Sequence, residues 1–144
     1  MAVTLAPMML RDVPLFNTVR NLSREWLHDP RAFTLPESVE WFRRGGGRQF
    51  YVILLDDAPI GYCRITDGGE ATERLVGMDI HPDYRGRGLA KKTYAILFDT
   101  LRAGGVNKFR LRVLKKNARA RHIYEALGFV TVSEDSSELE MVLV

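Results

Sequence analysis

The run HPDYRGRGLAKKTY, residues 81–94, crowds four cationic side chains, a histidine and two glycines into the junction between an apolar strand and a helix. A glycine-rich turn feeding a helix start presents backbone N–H groups without intrahelical partners at the positive end of the helix dipole. Such a turn binds anions. Gly86 and Gly88 admit a ligand to the main chain where a Cβ would stand in the way, while Arg85, Arg87 and Lys91 supply countercharge, so the expected guest is a phosphate. Two familiar phosphate loops do not fit. GRGLAK lacks the third glycine of the dinucleotide fingerprint, and no Gly-Lys-Ser/Thr follows, as a nucleoside-triphosphate loop requires.

Other reactive residue types are sparse. The single cysteine, Cys63, sits in the apolar run IGYCRI; it reads as a packing residue, it has no partner for an internal disulfide, and without a second cysteine no structural zinc site is expected. No metal is assigned, and the usage suits a reducing cytoplasm. The formal charge of +3 and pI near 9.2 suit nucleic acid or a small polyanion equally. Distribution favours the latter, because the charge gathers at one turn without the interleaved exposed aromatics of single-strand binders. The opening MAVTLAPMMLRD lacks the basic residues and cleavage pattern of an export signal, and nowhere do about eighteen apolar residues run together. Neither a nucleic acid nor a membrane is therefore an expected partner, and a homodimer is left open.

These residues need a scaffold. At 144 residues, 46% hydrophobic and 27% charged, the chain has the size and balance of one globular domain, taken as 1–144. The glycine clusters RGGGR and DGGE read as loops inside it. A first strand is expected near 3–10, then one or two amphipathic helices carrying Leu15, Val19, Leu22 and Trp26 at three- and four-residue steps. Thr34 and Glu37 form a capping box with Pro36 in the first turn, predicting a helix over 35–43. Three strands follow near 49–55, 59–66 and 72–81, an antiparallel meander. A helix over 88–103 ends at Gly104-Gly105, NKFRLRVL makes the next strand, and Asn117 caps a helix with Ala120, Ile123, Tyr124 and Leu127 that closes at Gly128. FVTVSED and ELEMVLV complete a hairpin. The order β-α-α-β-β-β-α-β-α-β-β predicts a mixed, mostly antiparallel α/β (α+β) sheet with helices on its faces.

Within this order, Arg85-x-x-Gly88-x-Ala90, preceded by Ile80-x-Pro82, resembles the Q/R-x-x-G-x-G/A turn of the GNAT N-acetyltransferases. A second block, NARARHIYEALGF over 117–129, is similar to the family's N-x-x-A-x-x-x-Y-x-x-x-G-F, with Asn117, Ala120, Tyr124, Gly128 and Phe129 in place. The resemblance implies that the turn wraps the pyrophosphate of acetyl-coenzyme A, and that the pantetheine arm lies like an added strand beside the strand ending near Ile80. Ile80, His81, Arg85, Gly86, Arg87, Gly88, Leu89, Ala90, Lys91, Asn117 and Tyr124 are then the cofactor-binding candidates. Lys115, Lys116, Arg119 and Arg121 read first as a solvated face, although a 3′-phosphate would use one or two of them.

Amide formation from a thioester needs an uncharged amine, a stabilised oxyanion and a proton for the departing thiolate. Tyr124 resembles the family's tyrosine near the coenzyme sulfur and is assigned general acid. The base is open, because Arg112 stands where many relatives carry a glutamate. Glu73 and Asp79 on the preceding strand are the nearest carboxylates by sequence; His28 and His81 are the imidazole candidates, a side chain that titrates near neutrality. The resemblance places the acceptor pocket among the N-terminal helices, where Trp26, His28, Phe33, Trp41 and Phe42 lie; Trp26, His28 and Phe33 are taken as substrate-binding. The expected reaction is acetyl transfer from acetyl-coenzyme A to a primary amine, on a small-molecule acceptor such as a nucleotide-linked amino sugar. Its alternatives are a protein N-terminal or lysine amine, and a catalytically silent acyl-coenzyme A-binding module.

Overall fold

The computed structural model describes residues 2–144. Alternating apolar positions build a meander from β2 (Tyr51–Leu55), β3 (Ala58–Asp67) and β4 (Glu73–Ile80), with β1 (Val3–Pro7) antiparallel to β2 at the edge. Asp56 and Asp57 join β2 to β3 with φ of 48° and 70°, the left-handed conformation that Asp tolerates and that a twisted hairpin needs. β5 (Lys108–Leu114), β6 (Val130–Glu134) and β7 (Glu138–Leu143) extend the sheet to seven strands in the order β1-β2-β3-β4-β5-β7-β6. All neighbours are antiparallel except β4 and β5. A parallel pair requires a crossover, supplied by helix α3 (Leu89–Ala103).

Helices α1 (Val13–Ser23) and α2 (Leu35–Arg43) cover one face of the sheet, where Phe16, Val19, Phe50, Val52 and Tyr62 make a core. α3 and α4 (Ala118–Leu127) cover the other, over Cys63, Ile65, Val76, Phe109, Leu111 and Met141. Thr34 and Glu37 form the expected box: the Glu37 N–H donates to Thr34 Oγ1 at 3.2 Å, and the Thr34 N–H to Glu37 Oε1 at 2.9 Å. Asn117 caps α4, accepting the Ala120 N–H at 3.2 Å, and Gly128 ends it at φ 102°.

Two sequence expectations shift. The first strand ends at Pro7 rather than running to residue 10, because the Met9 N–H turns to Asp12 Oδ2 at 2.8 Å and the chain enters a 3-10 turn over Leu10–Asp12. The inward stripe of α1 is Val13, Phe16, Val19 and Ser23; Leu22 and Trp26 stand 47% and 37% exposed. The helix tightens into a 3-10 turn over Arg24–Trp26, and three residues per turn instead of 3.6 rotate Trp26 off the buried face. Trp41 and Phe42 are partly buried at the margin of the Phe16 cluster, Trp41 stacked on Phe16 with centroids 4.6 Å apart.

Candidate active site

β4 and β5 pair only from Glu73–Leu75 to Lys108–Arg110 and then part. From Val76 to Ile80 the β4 edge facing β5 has no strand partner, so its N–H and C=O groups border a cleft of about 1040 Å³. Met78, Asp79 and Ile80 form one wall, Asn117, Ala120 and Tyr124 the other. An extended ligand can pair with that edge as a missing strand would.

The turn after β4 lies at one end of this cleft. Gly86 and Gly88 have φ of 78° and 74°, values that favour glycine, and an ideal Cβ at Gly88 would meet nothing within 4 Å. Gly88 is also the N-cap of α3, so the unpartnered N–H groups of the first turn open onto that space, which Leu89, Ala90 and Lys91 border. The cations are arranged differently from the expectation. Arg85 folds back: Nε donates to the Ile80 carbonyl at 2.8 Å and Nη2 to Ser23 Oγ at 2.8 Å, locking the end of β4 to α1. Arg87 donates to the Asp83 carbonyl at 2.9 Å and lies over the Tyr84 ring, outside the cleft lining. His81 also turns away, its Nδ1 accepting the Asp83 N–H at 3.1 Å. Lys91, Lys116 and Arg119 line the cleft together with Arg85, with Arg119 Nη2 3.6 Å from where a Gly86 Cβ would sit. Sequence spacing alone could not bring residue 119 to residue 86; the start of α4 lying beside the turn into α3 does.

Tyr124 projects from α4 into the cleft, 9% exposed, with its hydroxyl 3.2 Å from that of Tyr94 on α3. Burial pushes its phenol above the ordinary value, against the smaller opposing effects of the Tyr94 hydrogen bond and the Arg64 charge; Asp79 adds to the rise. It therefore keeps its proton at neutral pH.

The candidate bases divide. Asp79 lines the cleft at 7% exposure, its Oδ2 accepting the Tyr62 hydroxyl at 2.6 Å and lying 3.2 Å from Arg64 Nε. Its Oδ1 has no hydrogen-bond partner among the described residues. The Arg64 guanidinium covers Gly77, where an ideal Cβ would come within 2.6 Å of Nη2. Glu73 is at the far, paired end of β4, about 20 Å away along the strand. It accepts the Gly69 N–H at 2.8 Å and is held by Arg110 at 3.3 Å and Lys108 at 3.5 Å, which keep its carboxyl below the usual range with the Gly69 bond leading.

Among the acceptor candidates, Trp26 lines the cleft, with Lys116 Nζ 5.6 Å from its ring centroid. His28 lies outside that lining, its Nδ1 against the Glu138 carboxylate. Phe33 is outside too, between the guanidiniums of Arg20 and Arg31. The sequence reading did not single out Tyr94, Tyr62 or Ser23 for the site; Tyr62 was findable, since strand alternation in the meander sets it opposite Asp79. Cys63 is fully buried and burial pushes its thiol up, which suits packing. Among the described residues no group of three or more His, Cys, Asp or Glu is placed to hold a metal ion, and no helix is long and apolar enough to cross a membrane.

Comparison with known proteins points the same way. The profile of the Acetyltransferase (GNAT) family matches residues 16–129. The chain is 31% identical over 110 residues to the [ribosomal protein bS18]-alanine N-acetyltransferase of Salmonella typhimurium, covering 76% of this chain and 74% of that protein. It is 40% identical over 63 residues to the mycothiol acetyltransferase of Beutenbergia cavernae, covering 44% of this chain but only 21% of that protein, so the match spans about a fifth of that relative. The fold superposes on AAC(6')-Ib in complex with ribostamycin and coenzyme A with a TM-score of 0.86 at 23% identity, covering 100% of this chain and 94% of that one. It also superposes on yncA from Salmonella typhimurium with acetyl-CoA, at 0.80 and 17%, covering 99% and 94%.

Proposed function

Since the chain belongs to the GNAT acetyltransferase family and is an acetyl-coenzyme A-dependent N-acetyltransferase, we propose that it acetylates a primary amine by direct attack, with Tyr124 as general acid and Asp79 as proton acceptor. The observation that carries this reading is the splay: it joins an unpaired strand edge, an anion-binding turn and a buried phenol in one cleft.

The residues present fit acetyl-coenzyme A as co-substrate. The turn at 86–91 with Arg119 and Lys116 takes the phosphates, and the free edge of β4 from Val76 to Ile80 takes the pantetheine arm. Asp79 Oδ1 receives the incoming amine and one of its protons. As the amine nitrogen bonds to the carbonyl carbon and the carbon–sulfur bond breaks, Tyr124 passes its proton to the sulfur; the proton held at Asp79 returns through solvent to the phenolate. The main-chain N–H groups of the β4 edge are the donors for the oxyanion.

For the acceptor, the α-amine of a peptide or protein N-terminus comes first, because the relative of that activity matches three quarters of this chain and of its own length. An amino sugar is the second reading, favoured by Trp26, a partly exposed aromatic at the cleft wall on which a sugar face can stack.

The test is a mass-shift screen with acetyl-coenzyme A against N-terminal peptides, amino sugars, polyamines and aminoglycosides, with thiol release followed in parallel. One acetyl added to an amine, abolished in Tyr124→Phe, is expected. Tight acetyl-coenzyme A binding with no acetylation of any amine would instead leave the silent binding module.

A further inference from the structure

A general acid must aim its proton, and the surroundings of Tyr124 contain a second buried hydroxyl. Tyr94 on α3 is 1% exposed, its ring meets that of Tyr124 edge-on at 78° with centroids 5.7 Å apart, and its Oη lies 3.2 Å from Tyr124 Oη. Tyr124 is the only hydrogen-bond partner of Tyr94 among the described residues. Each hydroxyl has one proton to give, so the bond can run either way. If Tyr124 donated, the Tyr94 proton would be buried unpaired, at the full desolvation cost of a polar group, and nothing would be left for the cleft. If Tyr94 donates, it is satisfied and the Tyr124 proton turns to the open side.

We propose that Tyr94 is a positioning residue that donates to Tyr124 Oη, directs the Tyr124 proton into the cleft and stabilises the phenolate left behind when that proton departs. The inference rests on the reading of Tyr124 as general acid. A hydrogen bond to an anion is roughly twice as strong as one between neutral groups, so Tyr94 helps more after proton transfer than before it, which is the condition for raising a rate. Burial, reinforced by Tyr124, pushes the Tyr94 phenol well up, so Tyr94 holds the bond without losing its own proton. The charged groups whose fields reach Tyr124 are Arg64 on β3 and Asp79 on β4, while His122 and Lys116 share the cleft lining. Packing gives Tyr94 its fixed position: its ring tilts against Phe98 at 5.5 Å.

The experiment compares single-turnover rates of wild type, Tyr94→Phe, Tyr124→Phe and the double variant, each with coenzyme affinity from calorimetry and a pH profile. Tyr94→Phe is expected to lower the rate about tenfold at unchanged coenzyme affinity. The high-pH limb, where the acid loses its proton, should move upward, because the bond that Tyr94 makes is one that lowers the Tyr124 value. In the Tyr124→Phe background the same change should do nothing further. Should Tyr94→Phe fold poorly, a ring-fluorinated tyrosine at position 94, a stronger donor of nearly the same shape, is expected to move the limb downward. Equal losses with and without the Tyr124 hydroxyl, or an unmoved limb, would mark Tyr94 as packing only and overturn the proposal. A wild-type rate for Tyr124→Phe overturns it too, by removing the acid role on which it depends.

Discussion

The hydroxyl of Tyr124 is the smallest feature of the proposed reaction. Tyr124→Phe keeps the ring against Tyr94 and Phe129 and deletes only the transferable proton, so kcat should fall at least tenfold, and by up to about 10,000-fold, with calorimetric affinity for acetyl-coenzyme A near native. Because burial raises its phenol, the acid form persists past the usual tyrosine value of ~10. With the acceptor amine losing its proton over the same range, kcat/KM should climb from pH 6 to pH 9 without a descending limb. A decline in that interval would mean that a group other than Tyr124 is the acid. Asp79→Asn keeps the size of the side chain but removes the proton acceptor, and should lower kcat at least tenfold while leaving coenzyme binding intact. How much of this was legible beforehand differs residue by residue. Tyr124 stood out because Asn117, Gly128 and Phe129 frame it. Glu73 and Asp79 were indistinguishable along the chain, since both are carboxylates on one strand; what separates them is that β5 pairs with one end of β4 and leaves the other.

Two elements frame the site, the turn into α3 and strand β4, which its paired end anchors. At the turn, Gly88→Asp introduces a Cβ at φ 74° and a negative charge at the proposed phosphate site. Acetyl-coenzyme A affinity should drop by at least tenfold, read by calorimetry, while the melting temperature moves by a few degrees only. Unchanged affinity would place the phosphates elsewhere. At the other end, Glu73 ties Gly69, Lys108 and Arg110 together beside the short stretch where β4 meets β5. Glu73→Gln should cost about 1 kcal/mol in denaturant unfolding, the range for weakening partly exposed charge-assisted contacts. The sign with pH follows from its lowered carboxyl: the stabilisation is present above the unfolded value of ~4.3 and is lost as pH falls through the lower folded value. Stability of the wild type should therefore drop more steeply with acid below about pH 4 than that of the variant. Helix starts at Thr34 and Asn117 were readable from local chemistry, as capping depends on residues three apart. The inward face of α1 was not, because a tightening into 3-10 geometry is set by what the helix packs on.

Across the molecule, the divergence of β4 and β5 turns a continuous sheet into two halves joined at one end, and a ligand strand laid in the gap would knit them together. Acetyl-coenzyme A at about a hundred times its Kd should then stabilise the protein by about 2.7 kcal/mol, or roughly 5–10 °C in melting temperature. ATP at the same concentration, with phosphates but no pantetheine arm, should give much less; an equal shift would mean that the strand edge contributes nothing. The element order, the two motif blocks and the left-handed glycine turn after β4 were written along the chain, because hydrophobic period, capping and left-handed glycines are local properties that neighbouring residues settle among themselves. The splay, the turning of Arg85 and Arg87 onto protein carbonyls, the arrival of Arg119 beside Gly86, and the meeting of Tyr94 with Tyr124 were not. Each depends on which distant elements become neighbours, and that is fixed by how the two halves of the sheet bury their apolar faces against four helices, a choice no single stretch of residues contains.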